Sequence, residues 1–130
     1  MILLDTDVCI EILRGNKKVI QERERVSDDV TISFISVGEL FYGAYKSNAS
    51  QKNIKLVETF LLSLPIVQSD REIMEKFGQL KSTLSTSRTL LPDADILIAA
   101  TCLSKCTALV TGNTAHFKRF DGLRMENWLR

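Results

Sequence analysis

Four acidic residues stand where an apolar core would not choose them. Asp5 ends the apolar run Ile2-Leu-Leu4. Glu39 lies in Ser36-Val-Gly-Glu-Leu-Phe41, in the first turns of a mostly apolar segment. Asp93 and Asp95 open Pro92-Asp-Ala-Asp-Ile-Leu-Ile-Ala-Ala100. Carboxylates brought together in one pocket repel, and each raises the pKa of the others. A hard divalent cation relieves that conflict, because Mg²⁺ and Mn²⁺ prefer oxygen ligands and keep several waters. One such ion lowers the pKa of a bound water, and two can clamp both oxygens of an in-line phosphoryl displacement. An all-carboxylate pocket suits phosphodiester hydrolysis better than zinc peptide chemistry.

Each acid also has a plainer use. Ser36 to Glu39 fits a capping box, in which Glu39 only satisfies a backbone donor. Asp93 suits the N-cap of its helix, and Asp95 in the first turn favours the helix dipole. Asp7 most simply caps the helix that follows it. Asn113 is a residue type that tolerates turns, so it can be a loop closer. Taken singly, none of these positions is specific.

The elements that must position these residues alternate along the chain. Ile2 to Leu4 suits a buried parallel strand. A helix capped by Asp7 then carries Val8, Ile12 and Leu13 on its inner side and closes near Gly15. Residues 17–26 are charged, with Val19, Ile20 and Val26 at helical spacing. Val30 to Phe34 reads as a strand, and Ser36 to Ala44 as a helix. Asn53 to Leu62 is a further amphipathic helix before a strand at Pro65 to Gln68. Ser69-Asp-Arg-Glu72 fits a capping box opening a helix to Leu84. Residues 85–91 read as a polar loop, and Pro92 starts an apolar helix to about Ser104. Ala108 to Thr111 is a strand, and Arg124 to Trp128 a last edge strand.

This alternation predicts a three-layer α/β/α sandwich around a mostly parallel sheet of about four or five strands, joined by right-handed crossovers. Ligands in such sheets bind beyond the carboxyl ends of the strands. Asp5 and Asn113 fall at such ends, and Asp93 and Asp95 open the helix that leads into the strand before Asn113.

Composition limits the rest. The chain has 130 residues, which predicts one domain over 1–130. Apolar residues make up 45% and charged residues 25%, which argues against a disordered chain. Seventeen bases against sixteen acids leave a net charge of +1, unlike a uniformly basic nucleic-acid coat. Without the four acids above, twelve acids face seventeen bases, so the remainder carries +5. The three cysteines, Cys9, Cys102 and Cys106, speak against a disulfide framework and suit a reducing cytosol as buried free thiols. His116 is the one histidine, which leaves a metal reading of Cys102 and Cys106 weak. No apolar run approaches the ~18 residues of a membrane span. A cytoplasmic protein is therefore expected.

Taken in order, the segments resemble the PIN-domain ribonucleases, and most closely the VapC toxins of toxin–antitoxin pairs. Leu3-Leu-Asp-Thr-Asp-Val8 is similar to the family's first acidic motif. Ile35-Ser-Val-Gly-Glu-Leu-Phe-Tyr-Gly-Ala44 is similar to the second, and Asp95-Ile-Leu-Ile-Ala-Ala-Thr101 to the third. Leu109-Val-Thr-Gly-Asn-Thr-Ala-His-Phe117 and Gly122-Leu…Asn127-Trp128 resemble the closing segment. The resemblance covers essentially the whole chain.

The resemblance implies a Mg²⁺- or Mn²⁺-dependent endoribonuclease, with Asp5, Glu39 and Asp95 as metal-binding carboxylates and a metal-activated water attacking in line. The family often has a fourth acid at the position of Asn113, where this chain carries an amide. Asp93 is then a candidate for the missing carboxylate, and Thr6 and Thr111 for orienting waters. Substrates of the family are structured RNAs, transfer or ribosomal, which are recognised by shape, stacking and splayed bases. Arg14, Lys17, Lys18, Lys46, Lys118 and Arg119 are candidates for holding the phosphate backbone. The resemblance also implies a homodimer held inactive by a VapB-type antitoxin in a toxin–antitoxin hetero-oligomer. Phe41, Tyr42 and Tyr45 are candidates for dimer or groove contacts.

Two rivals stand beside this. A strand ending in Asp5-Thr-Asp7 also resembles the nucleophile motif of haloacid-dehalogenase-like phosphatases, with Asp5 attacking phosphate. That reading leaves Glu39 unexplained and finds Lys105 poorly placed. The other rival is a catalytically silent PIN-like binding module, against which the retention of Asp5, Glu39 and Asp95 counts.

Overall fold

Strand β1 (Ile2–Leu4) is apolar on both faces because both faces are covered. Ile2 and Leu4 point into one core with Ile32, Val8, Val110 and Trp128. Leu3 points into a second core with Leu109, Ile96, Ile98 and Phe117. A one-residue alternation thus serves two layers of helices. The computed structural model describes residues 1–86 and 91–130.

After β1 come α1 (Thr6–Leu13) and α2 (Lys17–Arg25), then β2 (Val30–Ser33). Helices α3 (Phe34–Tyr45) and α4 (Ser50–Leu61) lead to β3 (Ile66–Val67), and α5 (Arg71–Thr86) and α6 (Asp93–Lys105) lead to β4 (Ala108–Val110). A short α7 (Thr114–Phe117) precedes β5 (Met125–Glu126). Among the described residues the sheet has five strands in the order β3-β2-β1-β4-β5, every pairing parallel. Helices α1 to α4 supply one core and α5 to α7 the other. The expected three-layer sandwich is therefore the observed fold.

Several expected helix starts move by a few residues. Helix α1 is capped by Asp5, whose Oδ1 accepts from the Thr6 amide at 2.8 Å, and not by Asp7. Ser33 caps α3, three residues before the expected start, so Ser36 and Glu39 make no capping box. Asp70, not Ser69, receives the Ile73 amide at the start of α5. Pro92 stands at the N-cap of α6, so Asp93 is its first residue rather than its cap. In each case a neighbouring side chain or a fixed proline φ meets the same need for a partner or a start. Residues 85 and 86 of the expected polar loop extend α5, and residues 87–90 lie outside the described residues. Gly15, with φ +79°, closes α1 as expected.

Strand order decides where the site lies. The chain leaves β1 for β2 on one side and returns through β4 on the other. The crevice between the carboxyl ends of β1 and β4 is the switch point at which such sheets bind ligands.

Candidate active site

Asp5 stands at that switch point, 4% exposed. Its backbone amide donates to the Val110 carbonyl at 2.9 Å, which ties it to the end of β4. Its carboxylate is held twice: Oδ1 accepts from the Thr6 amide, and Oδ2 from the Thr111 hydroxyl at 2.7 Å. Asp7, on the first turn of α1, accepts the Gly112 amide on Oδ2 at 2.9 Å. Its other oxygen, Oδ1, is buried with no hydrogen-bond partner among the described residues.

Gly112 sits where a side chain would crowd two neighbours. A Cβ would meet Asp7 Oδ2 at 2.8 Å and run into Leu129 Cδ1. The bare backbone lets the chain pass between the two and aim its N–H at Asp7.

The acids act on one another. Burial, and after it the charge of Asp7, push Asp5 up to about 7 against the hydrogen bonds from Thr111 and Thr6, with Asp95 adding to the rise. Burial raises Asp7 as well, while the Gly112 amide restrains it and Asp95 pushes further up.

Glu39 reaches this group through α1. Thr6 Oγ1 lies 2.6 Å from Glu39 Oε1 and 2.8 Å from Ser36 Oγ. With one proton to give, Thr6 serves the carboxylate, the stronger acceptor. Glu39 and Ser36, expected as a capping box, instead make a contact between helices. Asp95 is partly buried, and its Oδ2 lies 3.3 Å from His116 Nδ1 on α7.

The structure draws Asp5, Asp95, Thr6, Thr111 and, through Thr6, Glu39 to one end of the sheet. Asp93 stays apart from them: it is exposed, and its carboxylate pairs with Lys81 of α5 at 3.0 Å. The Asn113 side chain is also exposed, while its backbone amide donates to Thr111 Oγ1 at 2.9 Å. Thr6 and Thr111 brace carboxylates. Arg14, Lys17, Lys18, Lys46, Lys118 and Arg119 are all exposed, and Lys46 Nζ lies 5.0 Å from the centre of the Tyr42 ring.

Two members stand outside the metal-site reading of the sequence. Asp7 looked like a local cap, although the Asp-x-Asp spacing at a strand end is a signal for it. His116 was noted only as the lone histidine, three residues past Asn113.

All the donors are oxygens apart from one imidazole, the set a hard cation takes. The buried Asp7 Oδ1, unpartnered among the described residues, and the charges of Asp7 and Asp95 pressing on Asp5 fit such an ion. Among the described residues no three His, Cys, Asp or Glu side chains stand ready to close around one ion.

The model of the PIN domain matches residues 2–123. The chain belongs to the PIN-domain family. Its similarity runs to the VapC branch. It is 35% identical to ribonuclease VapC2 of Haemophilus influenzae over 128 residues, 98% of this chain and 97% of that protein. It is 33% identical to the tRNA(fMet)-specific endonuclease VapC of Salmonella typhimurium, over 97% of this chain and 96% of that one. Among solved structures, VapBC2 from Rickettsia felis, bound to a DNA fragment from the promoter, superposes with a TM-score of 0.91 at 29% identity, covering 98% of this chain and 99% of that chain. This family membership displaces the phosphatase rival.

Proposed function

We propose that this PIN domain is a Mg²⁺- or Mn²⁺-dependent endoribonuclease and the toxin of a toxin–antitoxin pair acting in the cytoplasm. The observation that carries the proposal is the gathering of Asp5, Asp7 and Asp95 at the β1–β4 switch point, where the charges of Asp7 and Asp95 push the buried Asp5 up.

Asp5, Glu39 and Asp95 are the residues that would hold the ion. With few carboxylates in reach of one point, most of its shell would be water, as Mg²⁺ prefers. When bound, the ion supplies Lewis acidity to water and to the scissile phosphate. The protein's own part is to fix the carboxylates. Thr111 and the Thr6 amide hold the two oxygens of Asp5, and the Thr6 hydroxyl holds Glu39. Asp5 must release its proton to serve, so activity rises with pH through the range where Asp5 ionises. The exposed bases are the candidates for the phosphate backbone of a structured RNA.

A groove of about 390 Å³ beside Glu39 supports the partner. Ile10, Leu13, Leu40 and Val57 form its floor, with Arg14 and Lys46 on its rim. Such a groove suits the apolar face of an antitoxin helix, and the solved relatives are VapBC complexes. Tyr42 and Tyr45, 67% and 68% exposed, are available for a homodimer contact, whereas Phe41 packs against the core.

The test is cleavage of transfer and ribosomal RNA by purified protein with Mg²⁺, with Mn²⁺ and with chelator. Cleavage restricted to the metal-containing reactions and lost in Asp5→Asn is expected. Undiminished cleavage by a folded Asp5→Asn protein overturns the assignment. Growth arrest on expression, relieved by a small protein encoded next door, tests the toxin role.

A further inference from the structure

The segment after β4 hands one donor to each of three carboxylates. The Thr111 hydroxyl donates to Asp5, the Gly112 amide to Asp7, and His116 meets Asp95 at 3.3 Å. The first two donors are held in place: Thr111 Oγ1 also receives the Asn113 amide, and the Gly112 amide is bonded to Asp7 where only a glycine fits without a neighbour shifting. The backbone that carries the third is anchored by its neighbour. Phe117 is fully buried in the second core with its ring 6.1 Å from that of Phe120, so α7 cannot turn without emptying the core.

We propose that His116 is a positioning residue for Asp95. This rests on the reading of Asp95 as a divalent-ion ligand. A carboxylate turns easily about its last torsion, which has broad two-fold wells. A donor fixed at Oδ2 selects one orientation and leaves Oδ1 for the ion. Less order is then lost when the ion binds. Partners that orient a ligand in this way commonly contribute 10- to 100-fold in metal affinity. The role needs an N–H at the Nδ1 position and no charge on the ring. An asparagine amide can supply that N–H, and an alanine cannot.

The experiment is calorimetric titration of the full chain with Mn²⁺ alone, comparing the unaltered protein, His116→Ala and His116→Asn, with each melting temperature recorded in chelator. His116→Ala should bind Mn²⁺ roughly tenfold more weakly, His116→Asn close to the unaltered chain, and all three should melt alike in chelator. Equal Mn²⁺ affinity in His116→Ala, or an Asn variant as weak as the Ala variant, overturns the role. Nitrogen hyperfine coupling in the pulsed electron resonance of the Mn²⁺-loaded protein would make the imidazole a direct ligand and overturn it too. A chain that takes up no Mn²⁺ even unaltered overturns the metal reading itself, and this role with it.

Discussion

The Thr111 hydroxyl donates to Asp5 Oδ2 over 2.7 Å and joins residues 106 apart in the chain. One bond thus links the ends of β1 and β4 and fixes one side of a buried carboxylate. The same threonine oxygen accepts the Asn113 amide and so shapes the turn into α7.

Removing that hydroxyl should be felt in both roles. Thr111→Val keeps the shape and loses both bonds, leaving the buried Asp5 oxygen and the Asn113 amide short of partners. Such losses cost about 1–3 kcal/mol. Denaturant unfolding should show that loss in Thr111→Val and little of it in Thr111→Ser.

The raised Asp5 pKa makes the ion-free protein pH-dependent. Asp5 titrates near 3.8 when unfolded and at about 7 when folded. Between those values the folded state binds the extra proton, so stability is full below the lower value and falls as pH rises through about 7. The drop is at most on the order of 4 kcal/mol. Melting curves in chelator from pH 5 to pH 8 should show it. Asp5→Asn should flatten the curve and melt higher at pH 8, and Mg²⁺ or Mn²⁺ should restore stability to the unaltered protein there.

Gly112→Ala should disturb Asp7 and Leu129 together, because the new Cβ falls between them. Overpacking of this kind costs about 1–3 kcal/mol. Since Leu129 is a flexible side chain, Leu129→Ala in the same protein should recover part of the melting temperature. The crowding at Asp7 Oδ2 should remain, so RNA cleavage should stay low in the double variant.

Thr6→Val removes the donor that holds Glu39. With Thr6 and Glu39 only partly buried, the stability loss should be near 1 kcal/mol, while cleavage falls more steeply because Glu39 is free to turn. Thr6→Ser should restore cleavage. Initial rates on a single RNA, measured beside melting temperatures, separate the two effects.

Layer, strand and helix order were legible because they follow from local pattern. The apolar runs at Ile2 to Leu4 and Ala108 to Val110, with amphipathic helices between, allow little but a covered parallel sheet. The helix starts were less legible. Asp5 and Asp7, or Ser69 and Asp70, are equally good local acceptors, and the choice between them rests on what else is near. Asp7 looked like a cap because its partner, the Gly112 amide, lies 105 residues away. His116 gave no sign of Asp95 for the same reason.

The sequence by itself determined which residues carry charge, which faces are apolar and that Asp5 ends a strand, since each depends on neighbours a few positions away. Tertiary structure alone decided which acids meet. It set β4 beside β1, turned Asp93 to Lys81, brought Asp7 and Asp95 within reach of Asp5, and laid Thr111, Gly112 and His116 over them. The physical reason is that carboxylate repulsion, burial and donor geometry act through space over a few ångströms, and only the folded chain sets those distances.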